Sequence, residues 1–217
     1  MSRKLILLPG MTPGRRIFDK LAPHLGLCEI IDWVAPGRAK SISEYAQKLA
    51  TETGIDSECD IVGVSFGGMV AQEIANLVRS RLCFAVSSVS SSNELRPAQK
   101  ILARLPEGVH SSALGFVGGI ANAWPLKGSS TGTVRARKFA GVGGDWYRWA
   151  TSAALRWTPD FSGSHFRVIR VHGDRDRTFP NGHRHADHVI TGAGHVLVIT
   201  HSRALAEIIH QRQAEAE

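Results

Sequence analysis

The stretch Asp60-Ile61-Val62-Gly63-Val64-Ser65-Phe66-Gly67-Gly68-Met69-Val70-Ala71-Gln72-Glu73-Ile74 decides how the rest of the chain is read. Its opening, Asp60 to Val64, is β-branched and apolar, as a buried strand is. From Gly68 to Val78 the periodicity is helical. Between the two, Gly63-Val64-Ser65-Phe66-Gly67 sets a serine at a strand-to-helix junction with glycine two residues to either side, which is the pattern of a nucleophile elbow. In so tight a turn, a side chain at Gly63 or Gly67 collides with neighbouring backbone, and the crowding lifts the Ser65 hydroxyl clear of the sheet. The positive end of the following helix then lies beneath any oxyanion formed at Ser65. An ordinary Gly-Ser turn shares the five letters. The flanking strand and helix favour the elbow.

The chain has 217 residues, enough for a single domain with a sizeable core. No apolar run approaches the roughly 20 residues that cross a bilayer. The first ten residues, Met1 to Gly10, offer only the four apolar positions Leu5 to Leu8, too short for a signal-peptide core. Cys28, Cys59 and Cys83 are an odd number of cysteines and read as reduced, buried thiols in a cytoplasmic protein. The net charge of +7 is spread along the chain, with local concentration at Arg135-Ala136-Arg137-Lys138 and from Arg167 to Arg184. No dense basic run with interleaved aromatics occurs, which argues against nucleic acid as a partner. A solvated basic face is the simpler reading, and attraction toward an acidic substrate or carrier is the sharper one.

Outward from the elbow, strand and helix alternate. Lys4 to Leu8 reads as a first strand ended by Pro9-Gly10, and Arg15 to Leu25 as a helix with Ile17, Phe18, Leu21 and Leu25 on one stripe. Cys28 to Val34 is a second strand. Ser41-Ile42-Ser43-Glu44 is a capping box for a helix that stops at Gly54. Leu82 to Ser88 is a further strand after the elbow helix. Strand character returns at Phe166 to Val171 and at Asp187 to Thr191, and a last helix covers Ser202 to Gln213. This rhythm predicts a parallel sheet with helices on both faces, whose ligands bind at the carboxyl ends of the strands. Roughly 75 residues from Ser90 to Ser164 lack strand signals, too long for a connection, so residues 91–164 are expected to form a helical cap inserted into one domain spanning 1–217. Helices are expected near Glu94–Leu105, His110–Asn122, Thr133–Val142 and Gly144–Trp157, with Trp124, Trp146, Trp149 and Trp157 mostly fixing the cap to the core.

Each of the last two strands leads to a residue that a serine nucleophile needs. His195, on Gly192-Ala193-Gly194-His195, can act as base, and Asp176 of His172-Gly173-Asp174-Arg175-Asp176 can hold that base in the correct tautomer. The order Ser65, Asp176, His195 suits an α/β sheet.

With these three motifs in order, the chain resembles the α/β-hydrolase family along essentially its whole length. The resemblance implies an α/β-hydrolase fold that begins at what would be the third strand of larger members, hence about six mostly parallel strands. It places the acid at Asp176, leaving Asp174 to tie the loop through backbone N–H groups and to serve as the fallback acid. It also implies an oxyanion hole formed by the backbone N–H groups of Met11 and Phe66. The family usually has His-Gly before the first of these, where this chain has Pro9-Gly10, so the hydrogen bonds of that histidine are absent.

The expected activity is hydrolysis of a carboxylic ester through an acyl-enzyme, with no cofactor and no metal. His183, His185, His188 and Asp187 straddle a loop and a strand start without a supporting ligand motif, so a metal is not expected there. His172 reads as a buried, satisfied imidazole. Three other readings stand beside esterase action: a thioesterase on CoA or carrier-linked acyl groups, docked at Arg135, Arg137 and Lys138; a lyase or C–C hydrolase using the same residues; and a non-catalytic binder of the same fold.

Overall fold

The computed structural model describes residues 3–91, 94–95 and 144–217. Six strands form one sheet: β1 Lys4–Leu8, β2 Cys28–Ile30, β3 Cys59–Val64, β4 Leu82–Val86, β5 Arg167–Gly173 and β6 His188–Ile190. Their order is β2-β1-β3-β4-β5-β6 and every pairing is parallel. The described helices are α1 Ile42–Thr53, α2 Phe66–Val78, α3 Gly144–Leu155, α4 Leu197–Thr200 and α5 Ser202–Glu215.

Successive side chains of a strand point to opposite faces, and both faces here are covered. Ile6, Leu8 and Ile61 pack with α1, α2 and α3 on one side, while Leu5, Leu7, Val62 and Val64 pack with Leu197, Leu205 and Ile209 on the other. The central strands β3 and β4 are therefore buried along their full lengths. Cys59 and Cys83 are buried free thiols, and Cys28 is half-buried and also free.

Three elements depart from their expected form. The stretch from Arg15 to Leu25 is two short 3-10 turns, Arg15–Phe18 and Ala22–His24. Pro23 explains the break, because it has no N–H for the Asp19 carbonyl and its ring would collide with it. Phe18, Leu21 and Leu25 nonetheless reach the core. The second strand stops at Ile30, since the last rung is Ile31 N–H to the Leu7 carbonyl (3.0 Å) and the next donor in the ladder is Pro9. The last strand starts at His188 because the Asp187 carboxylate, not its main chain, takes the Arg170 N–H at 2.7 Å.

The capping box at α1 is shifted by one residue. The Ser41 hydroxyl accepts the Glu44 N–H (3.1 Å), whereas the Glu44 carboxylate accepts from Lys40 (2.8 Å). Gly54 closes the helix with φ 67°. Of the expected cap, residues 91, 94–95 and 144–164 are described, with α3 at the start of the last stretch. The remaining expected helices, Trp124 and the Arg135, Arg137 and Lys138 patch lie outside the described residues. Three indoles in and just after α3 tie it to the core: Trp146 to the Met11 carbonyl (2.8 Å), Trp149 to the Ala39 carbonyl (2.7 Å) and Trp157 to the Glu73 carboxylate (2.7 Å). Among the described residues no helix is long and apolar enough to cross a membrane.

Candidate active site

Ser65 follows β3 and caps α2 with φ 54° and ψ −118°, a conformation that L-residues rarely hold. The glycines around it explain how the chain tolerates that turn. A Cβ on Gly63 would overlap the Gly67 carbonyl, one on Gly67 would overlap the carbonyls of Leu8 and Pro9, and one on Gly68 would overlap the Ser88 side chain. The start of α2 thus lies directly on the ends of β1 and β4, and the chain must reverse within one residue. The main chain of Ser65 is pinned on both sides. Its N–H donates to the Val86 carbonyl (2.9 Å), and its carbonyl accepts from the Ser88 hydroxyl (2.7 Å) and the Gly68 N–H (2.9 Å). Strain of this kind costs about 1–3 kcal/mol and persists only where the surroundings over-determine it.

The structure brings the three sequence-predicted side chains into one line. His195 Nε2 lies 3.0 Å from Ser65 Oγ, and His195 Nδ1 lies 2.9 Å from Asp176 Oδ2. A carboxylate facing Nδ1 holds the proton on that nitrogen and leaves the Nε2 lone pair toward the hydroxyl. The other oxygen of Asp176 accepts the N–H groups of Thr178 (2.8 Å) and Phe179 (3.1 Å), so the carboxylate cannot rotate away. Burial alone would push the Asp176 pKa up. The hydrogen bond and charge of His195 and the two backbone donors outweigh it and hold the carboxyl below its usual range.

Asp174 has a different task. Its Oδ1 accepts the Gly192 N–H at 2.7 Å, and the Arg175 N–H reaches the Ala193 carbonyl at 2.9 Å. Gly173 packs so closely on the Ala193 carbonyl that no Cβ fits there. The loop after β5 is thereby stitched to the loop that presents His195.

The two expected oxyanion donors sit on opposite sides of Ser65 in sequence. Phe66 is the first residue of α2, where an N–H has no acceptor within the helix. Gly10 lies against Ser65, since a Cβ there would stand 3.8 Å from Ser65 Cβ. Met11 follows, its carbonyl held by the Trp146 indole and its sulfur contacted by the Thr151 hydroxyl (3.5 Å). The Gly10 carbonyl accepts the Trp33 indole N–H at 2.8 Å. Trp33, Phe66 and Trp146 pack against one another with centroids 5.5–5.8 Å apart, Phe66 edge-to-face on both indoles and the two indoles tilted. The sequence carries no signal for Trp33 in this role: it stands in a segment that reads as strand.

His172 departs from its expected reading, because only one ring nitrogen is satisfied. Nε2 lies 2.6 Å from the Ser88 carbonyl, which can only accept, so this nitrogen carries the proton. Nδ1 has no hydrogen-bond partner and stands 3.7 Å from Asp176 Oδ2. Burial, the largest influence, pushes the His172 pKa down against the opposing pull of the Ser88 carbonyl and Asp176. The ring is neutral near pH 7. At the far side of the β5–β6 loop, His188 Nε2 accepts the Arg212 Nε–H at 2.8 Å. No three His, Cys, Asp or Glu side chains are placed to hold a metal ion among the described residues.

Comparison with known proteins matches residues 5–208 to the model of the "Alpha/beta hydrolase family". No curated protein matches the sequence. Solved structures with the same fold include a putative non-heme bromoperoxidase, BpoC, from Mycobacterium tuberculosis H37Rv (14% identity, 100% of this chain and 94% of that one, TM-score 0.66). A structure from work on carboxylesterases of the thaumarchaeon Nitrososphaera gargenis is similar at 15% identity, covering 99% and 91% of the two chains with TM-score 0.65. The type II thioesterase BorB from the borrelidin biosynthetic cluster is 18% identical over 98% of this chain and 93% of its own, with TM-score 0.60.

Proposed function

Because the chain belongs to the alpha/beta hydrolase family, we propose that it is a serine hydrolase that cleaves carboxylic esters through an acyl-enzyme. The observation that carries this reading is the unbroken line from Asp176 Oδ2 through His195 to Ser65 Oγ, at 2.9 and 3.0 Å. In the first half-reaction Ser65 Oγ bonds to the substrate carbonyl carbon while His195 Nε2 takes the hydroxyl proton. The carbonyl oxygen becomes an oxyanion that accepts from the Met11 and Phe66 N–H groups. Collapse breaks the bond to the leaving oxygen, to which His195 returns the proton. Water then repeats the sequence on the acyl-Ser65 ester, with His195 as base, and releases the carboxylic acid. Asp176 stays ionised throughout and stabilises the imidazolium.

The test is a hydrolysis screen across acyl-chain length and leaving group, run beside Ser65→Ala. Turnover by the parent and its loss by several orders of magnitude in a folded variant is the expected result. Parallel assays on p-nitrophenyl esters and acyl-CoA thioesters separate the esterase from the thioesterase. Absence of Ser65 labelling by a fluorophosphonate in the folded protein would leave a binder of the same fold.

A further inference from the structure

We propose that Trp33 is a positioning residue for the oxyanion donor of Met11, acting through its indole hydrogen bond to the Gly10 carbonyl. The inference rests on the serine-hydrolase reading above. In a trans peptide the C=O of one residue and the N–H of the next point in opposite directions, and no cis peptide occurs among the described residues. Whatever fixes the Gly10 carbonyl therefore fixes the line of the Met11 N–H. Trp33 does so from a buried ring (5% exposed), with its N–H 2.8 Å from that oxygen. The ring itself is held by Phe66 at 5.7 Å and Trp146 at 5.5 Å. The next peptide unit is fixed separately, because Trp146 takes the Met11 carbonyl at 2.8 Å. With both flanking planes held, the backbone angles of Met11 have little freedom left.

The local sequence makes such a grip necessary. Gly10 has no side chain to restrict its backbone, and Pro9 has no N–H to anchor the turn. The loop cannot fix itself. Two indoles, reaching from the segment after β2 and from α3, supply the restraint. Phe66 carries the other donor and also packs on Trp33, so one aromatic cluster sets both sides of the hole.

The experiment compares the wild type with Trp33→Phe and with a variant carrying 3-benzothienylalanine at position 33, which keeps the bicyclic shape but replaces N–H by sulfur. Each is assayed for kcat and KM on the best p-nitrophenyl ester. Each is also assayed for inhibition by an alkyl trifluoromethyl ketone, whose adduct with Ser65 bears an oxyanion. A misaimed donor costs less than a deleted one, so kcat should fall about 10- to 100-fold with KM within about twofold. The ketone should bind more weakly by a similar factor. The benzothienyl variant should behave like Trp33→Phe, and it carries the test alone if the smaller ring unfolds the protein. Wild-type kcat and ketone affinity in the benzothienyl variant would overturn the proposal, since shape and not the N–H would then be what matters. A wild-type protein that hydrolyses no ester and forms no ketone adduct would instead overturn the hydrolase reading, and this inference with it.

Discussion

His172 Nδ1 faces the same oxygen of Asp176 that holds His195, at 3.7 Å against 2.9 Å. Through Ser88 it also leads back to Ser65: His172 Nε2–H meets the Ser88 carbonyl, and the Ser88 hydroxyl meets the Ser65 carbonyl. A closed ring of polar contacts thus runs from Ser65 through His195, Asp176, His172 and Ser88 to Ser65 again. Its weak joint is the Nδ1 to Oδ2 gap, where two lone pairs face each other while His172 is neutral. The depressed pKa of His172 fixes the sign of a pH effect. Between its folded pKa and the unfolded value of about 6.5, the unfolded chain binds more protons, so stability falls as pH drops through that window. His188 contributes in the same sense, burial and Arg212 lowering its pKa. Urea unfolding from pH 8 to pH 5 should therefore show stability declining below about pH 6.5, with a smaller slope in His172→Gln. An unchanged slope in the variant would show that His172 titrates alike folded and unfolded.

The strained backbone at Ser65 predicts an exchange of function for stability. Relief of a conformation such as φ 54° contributes about 1–3 kcal/mol, against about 0.4–1 kcal/mol that the freer unfolded chain costs glycine relative to alanine. Ser65→Gly should thus be at least as stable as Ser65→Ala, while both lose turnover. Thermal unfolding of the pair decides it. A glycine variant less stable than the alanine variant by about 1 kcal/mol would mean that the turn stores no strain.

How far the sequence spoke for itself depended on the range of each interaction. The buried strands β1, β3 and β4 were legible because an apolar run is a local property, and the elbow because its glycine spacing is dictated by backbone a few residues away. Ser65, Asp176 and His195 could be brought together on paper because a parallel sheet delivers the ends of its strands to one rim. Pro23 marked the break in the Arg15–Leu25 helix and was outweighed by the apolar stripe around it, which reaches the core without a continuous helix. Pro9 likewise ended β2 through a missing rung on the neighbouring strand. The contacts of Trp33, Ser88 and the Nε2–H of His172 were not legible at all. Their partners lie 23, 23 and 84 residues away, and no periodicity records a contact of that reach.

Asp174 and Asp176 are two residues apart and should differ sharply on substitution. Asp176→Asn removes the acceptor that selects the His195 tautomer, which should lower kcat by roughly 10³–10⁴ with little change in stability. Asp174→Ala removes one bond to the Gly192 N–H, and its effect on kcat should stay under about tenfold. Initial rates on one ester are sufficient. Equal losses in the two variants would mean that the loops after β5 and β6 act as a unit and that Asp176 has no separate role.

At the opposite end of β3 from Ser65, the fully buried carboxylate of Asp60 accepts from Arg81 Nη2 at 2.9 Å and Gln213 Nε2 at 2.8 Å, with Arg3 Nε 3.6 Å away. The cluster joins the chain before β1, the start of β3, the turn before β4 and helix α5. A buried ion pair adds little net stability over an apolar replacement, but removing one partner leaves the other charge in a medium that cannot solvate it. Arg81→Ala should therefore cost about 3 kcal/mol, more than the 0–1 kcal/mol of a surface pair. Its position predicts a clean separation of effects, with kcat and KM on any ester unchanged within about twofold under native conditions. Urea unfolding gives the first number and initial rates give the second. A loss below about 1 kcal/mol would show that Gln213 and Arg3 suffice to hold the carboxylate, whereas a fall in kcat at full stability would mean that strain at the base of β3 reaches the elbow.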